Sequence, residues 1–79
     1  MVKKYMYNAF VEAIQWVGNY KEVKGFAKDN FYMTPNETFF IITPEGDVEL
    51  QKGDYVVKSK EDSFWVYSED DFRKIFKEI

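Results

Sequence analysis

The stretch Val11–Gly18, VEAIQWVG, decides how the rest of the chain is read. Side chains alternate across a strand, so Val11, Ala13, Gln15 and Val17 fall on one side and Phe10, Glu12, Ile14 and Trp16 on the other. Both sides are mostly apolar. That pattern predicts a central strand over about residues 9–17, covered on both faces and ended by Gly18. Glu12 and Gln15 are the polar residues inside it. If Glu12 points inward with Phe10, Ile14 and Trp16, a lone carboxylate there is costly, so it needs a partner. Lys58, in the middle of YVVKS, is the candidate for an ion pair. The alternative is functional: Glu12, Gln15 and Lys58 fix a ligand's orientation in a pocket that combines Trp16 with Tyr55, Trp65 or Tyr67.

The rest of the chain alternates short strand signals with turns. Asn19, with Glu22 three residues on, has capping-box spacing. Behind it Val23, Phe26 and Ala27, with Tyr20, form one apolar stripe of a helix that ends at Lys28–Asn30. Gly25 inside it costs about 1 kcal/mol relative to Ala unless close packing uses it. Strands are predicted at 31–33, 38–43, 48–51, 55–59 and 64–67, with tight turns at Pro44–Asp47 and Lys52–Asp54. A last helix starts at Ser68, has Asp71 at the capping-box position, and carries Phe72, Ile75, Phe76 and Ile79 as its apolar stripe. The expected fold is α+β, a small and mainly antiparallel sheet with two packed helices, in the order β-α-β-β-β-β-β-α. Residues 1–79 read as a single domain.

Composition narrows the chemistry. The chain has 79 residues with no His and no Cys. Serine and cysteine hydrolases and zinc enzymes normally draw on those side chains. A domain this small buries only about 60% of the surface of its unfolded chain. Eight Phe, six Tyr and two Trp are many bulky side chains for so little interior, so some are expected in a subunit interface or binding groove. A homo-oligomer, a dimer or larger, is the corresponding expectation. The net charge is −3, with +2 over residues 1–30 and −5 over residues 31–79. An acidic domain with one Arg is a poor match to a nucleic-acid backbone, which requires a basic stripe. No Gly-rich phosphate loop is present. The acids at Glu69–Asp71 suit the positive end of a helix dipole, and no calcium-type loop accompanies them. No cofactor and no metal are expected. The start of the chain has no leader-like apolar run, and no window approaches about 20 apolar residues, so a soluble, cytoplasmic protein is expected.

VEAIQWVGN at 11–19, GDYVVKS at 53–59 and FWVYSEDDFRKIF at 64–76 together resemble a family of small phage and prophage proteins. That family carries V-E-A-I-Q-W after a basic start. A helix follows, then strands, a P-G-D-aromatic-aliphatic-aliphatic-K segment, a short aromatic strand and a terminal helix. Lys52 stands where the family usually has Pro, and YSEDDF at 67–72 replaces a Lys-Pro-Asp pattern. Both departures lie in turns. The resemblance implies a phage or prophage origin and action in the bacterial host cytoplasm, and it brings no named functional residues. The expected function is a non-enzymatic binding protein, acting as a counter-defence sponge for a nucleotide-like signalling molecule held by Glu12, Gln15, Trp16, Tyr55, Lys58, Trp65 and Tyr67. The alternatives are a protein-interaction module that inhibits a host or phage protein and, last, a small carboxylate-based enzyme.

Overall fold

The computed structural model describes residues 2–6 and 10–78, without the side chains of Met6, Phe10 and Glu78. Two antiparallel sheets and two helices make up an α+β fold. The larger sheet has five strands in the order β7-β6-β2-β1-β8. These are β1 (Lys3–Met6), β2 (Phe10–Gln15), β6 (Tyr55–Lys58), β7 (Phe64–Tyr67) and β8 (Lys77–Glu78). The smaller sheet, in the order β3-β4-β5, holds β3 (Phe31–Met33), β4 (Phe39–Thr43) and β5 (Gly46–Glu49).

Strand β2 is central, as its two apolar sides require. Ile14 and Trp16 enter a core with Val23, Ala27, Phe31, Ile41, Leu50, Val56 and Phe64. That core lies between the large sheet, the small sheet and helix α1 (Tyr20–Ala27). On the other side Ala13 joins Tyr5, Val57, Phe72 and Phe76, where helix α2 (Glu69–Ile75) packs. Beyond Gln15 the pairing continues through loop backbone: Trp16 N–H donates to Asp54 C=O at 2.7 Å and Gly53 N–H to Trp16 C=O at 2.8 Å. Gly53 sits at φ +97°, a backbone region that favours glycine. A two-residue loop, Pro44–Glu45, closes the β4–β5 hairpin. Thr43 Oγ1 locks it by donating to Gly46 C=O at 2.6 Å.

The β4–β5 loop is shorter than the expected turn at 44–47, so β5 spans Gly46–Glu49 rather than 48–51, and four further details differ from the sequence expectation. There are two sheets rather than one, because the chain leaves the small sheet at Leu50 and returns to β2 through Gly53–Asp54. Strand β1 adds to β2 in the register Lys3↔Ala13 to Met6↔Phe10, and β8 adds to β1. The last helix stops at Ile75, and Phe76 is already extended at φ −111°, ψ 146°. Ile75 is therefore exposed, and the Phe72–Phe76 pair alone carries the described part of the stripe. The Asn19 side chain does not cap the α1 backbone; its Oδ1 turns back to accept from Val17 N–H at 2.9 Å. Ser68 does cap α2, accepting from Asp71 N–H at 3.2 Å. The expected strand start at Ala9 and the stripe position Ile79 lie outside the described residues. No helix among the described residues is long and apolar enough to cross a membrane.

Candidate functional site

Register divides the seven predicted ligand residues between two faces of the large sheet. Ile14 pairs with Val56 and Glu12 with Lys58, so Glu12, Trp16 and Lys58 belong to the face toward the small sheet. Gln15 pairs with Tyr55, Tyr55 with Tyr67 and Val57 with Trp65, so Gln15, Tyr55, Trp65 and Tyr67 belong to the face toward α2. The expected pocket joining Trp16 to Tyr55, Trp65 or Tyr67 is not formed, since a sheet separates them. Trp16 is only 6% exposed, with its ring 4.7 Å from Phe39 and 5.7 Å from Phe31. It is a core residue. Glu12 shares its face with Ile14 but is exposed, beyond the edge of the covered area, opposite Lys4 on one side and Lys58 on the other. Lys58 Nζ lies 3.5 Å from Asp62 Oδ1.

On the α2 face Gln15 ties three elements together. Its Nε2 donates to Gly53 C=O at 3.0 Å and to Glu69 Oε2 at 3.3 Å. The same Glu69 oxygen accepts from Arg73 at 2.7 Å. Tyr55 stacks on Phe72 at 3.9 Å, and Tyr67 meets Phe76 edge-on at 5.3 Å. Trp65 is half-buried and has no ring partner among the described residues. An open cleft of about 240 Å³ lies beside this group, lined by Lys3, Tyr5, Gln15, Asn19, Glu22 and Tyr55. A second, of about 300 Å³, is lined by residues that include Phe26, Asn30, Lys58, Asp62 and Phe64. Both sit at or below the lower end of the roughly 300–1,000 Å³ typical of small-molecule pockets. Among the described residues no three carboxylates converge as a cation site requires.

The residues missed by sequence reasoning are on the small sheet. Its inner face delivers Phe31 and Ile41 to the core. The outer face carries Tyr32, Phe40 and Glu49 in one cross-strand row, and Ile42 and Asp47 in the next. The Tyr32 and Phe40 rings stack at 5.4 Å, tilted by 11°. Tyr32 Oη donates to Asp47 Oδ2 at 2.6 Å, and that bond to a carboxylate holds the phenol above its ordinary pKa. Tyr32 and Phe40 are half-buried, while Ile42, Asp47 and Glu49 are exposed. The three strands carry no Lys or Arg. The signal was legible in TFFIIT, where Phe40 and Ile42 are apolar at alternate positions to the core residue Ile41.

No protein-family model, curated protein or solved structure matches this chain.

Proposed function

We propose that this protein is a non-enzymatic binding protein of phage type that engages another protein through the outer face of its small sheet. The reading is carried by one observation: Ile42, exposed, and Tyr32 and Phe40, half-buried, share the outer face in adjoining rows beside Asp47 and Glu49, with no basic residue on the same strands. Contiguous exposed apolar surface rimmed by polar groups marks interaction sites. Binding rather than catalysis is favoured because the chain has neither His nor Cys. The phage assignment is supported by the sequence resemblance over 11–19, 53–59 and 64–76.

The test is affinity capture and cross-linking from bacterial lysate, comparing the wild-type chain with Phe40→Glu. A partner captured by the wild type and lost in the folded variant supports the reading. Equal capture by both, or no specific partner at any salt, overturns it. Self-association belongs to the same reading, and a monomer at high micromolar concentration in sedimentation rules it out.

Sequestration of a nucleotide-like molecule ranks second. It is favoured by the cleft where Lys3, Gln15 and Asn19 supply polar groups beside Tyr55. It ranks lower because Trp16 is inside the core and one Tyr55 face is already stacked on Phe72. Native mass spectrometry with linear and cyclic nucleotides tests it. Retained nucleotide mass that Gln15→Ala abolishes places the ligand at this cleft.

A further inference from the structure

Strand β5 is an open edge of the small sheet, and all four of its residues are exposed. Leu50 N–H donates to Phe39 C=O at 2.8 Å. Hydrogen-bonded and non-hydrogen-bonded pairs alternate along an antiparallel ladder. The pairs Phe40↔Glu49 and Ile42↔Asp47 are therefore the non-bonded ones, and the backbone N–H and C=O of Asp47 and Glu49 point away from β4. Edge strands are commonly blunted by Lys, Pro or a covering element. Strand β5, Gly46–Glu49, contains neither Lys nor Pro; its charged residues, Asp47 and Glu49, are both acidic, which disfavours a like edge but not a basic strand. Its two faces differ sharply: Asp47 and Glu49 project to the outer side, and Val48, 38% exposed, to the inner side beside Ile41.

We propose that β5 takes an added strand from the protein partner, an extended segment in which basic residues alternate with apolar ones. This rests on the protein-binding reading above and names the partner's chemistry. Backbone pairing would use the outward groups of Asp47 and Glu49. Lys or Arg side chains would lie opposite the two carboxylates, and aliphatic ones beside Val48. A second copy of this chain is the wrong occupant, because β5 against β5 sets Asp47 and Glu49 against their own like charges.

The probe is the synthetic peptide Lys-Val-Lys-Val-Lys-Val, titrated into labelled full-length protein by NMR and calorimetry. The controls are hexalysine and Glu-Val-Glu-Val-Glu-Val. Two variants read the mode. Glu49→Pro removes an outward N–H without touching the β4 ladder. Glu49→Lys reverses the charge opposite the peptide. The expected result is binding at about millimolar or tighter, with amide shifts centred on Asp47–Glu49. Glu49→Pro, checked by its melting curve to be folded, should weaken binding roughly tenfold or more. Glu49→Lys should shift preference toward the glutamate peptide. No binding by the wild type, equal binding of hexalysine, or indifference to both variants overturns the proposal. A lysate partner that is lost with Phe40→Glu but retained at full strength by Glu49→Pro overturns strand addition alone and leaves the protein-binding reading standing.

Discussion

The two sheets bury their strands differently. The five-stranded sheet is covered twice, by the small sheet and α1 on one face and by α2 on the other. The three-stranded sheet is covered once. In β4 the contrast falls on neighbouring residues: Ile41 is fully buried and Ile42 is 38% exposed. A strand sandwiched between two cores is held by packing on both sides and has no surface left to offer. A strand covered on one side keeps its fold through that side and has the other free for a partner. Ala13 and Ile14, buried on opposite sides of β2, belong to the first class. Tyr32, Phe40 and Ile42 belong to the second.

Mutations can break or sharpen this contrast. The largest effect should come from Trp16→Ala, which empties a site packed on Phe31 and Phe39 and should cost about 3–5 kcal/mol, enough to unfold a domain this small. Loss of cooperative melting by circular dichroism is the measurement. Next, Ile41→Ala should cost about 2–5 kcal/mol, whereas Ile42→Ala should stay within about 0.5 kcal/mol in urea titrations. Equal costs would show that the small sheet is covered on both sides after all. Gly25→Ala should stabilise by about 1 kcal/mol, raising the melting temperature by about 4–8 °C. An added Cβ there meets nothing within 4 Å, so no close packing demands the glycine.

The smallest effect is electrostatic. The folded pKa of Tyr32 is raised by its bond to Asp47, so the stabilising contribution is complete below the unfolded value of about 10 and is lost as pH rises through the folded value. Tyrosinate absorbance should show a late-titrating phenol that Asp47→Asn moves back toward about 10. A titration unchanged by Asp47→Asn would separate the two residues in solution.

Much of the fold was legible. The alternation in VEAIQWVG placed a central strand, TFFIIT and PEGD gave a hairpin, and Ser68 marked a helix start. The strand pairing was not legible, because local apolar patterning identifies strands without saying which sheet they join. Strand β1 contains Lys3 and Lys4 and has little strand signature of its own; it forms because β2 offers an edge. Ile75 read as part of a helical stripe, yet Phe76 turns extended to lead into β8, so tertiary pairing overrode the helical period. The candidate pocket failed on parity. Gln15 and Trp16 are adjacent in a strand and must face opposite ways, as must Val57 and Lys58. That rule separates Gln15 from Trp16 and Tyr55 from Lys58, but only the β2–β6 register sets Trp16 on the face away from Tyr55.

The pairing of β8 with β1 joins Tyr5 to Glu78 and Met6 to Lys77. The small sheet, by contrast, is complete within residues 31–49. On a ribosome the small sheet and α1 can emerge and collapse while the end of the large sheet is still in the exit tunnel. Until residues 77–78 are released, β1 has an unpaired border, and nascent chains on the same message present that border to one another. Contacts of wide sequence separation carry the larger loop-closure cost. The β1–β8 pair spans the widest sequence separation of the described strand pairs, so the largest loop-closure cost falls on the pairing that the sequence signalled least.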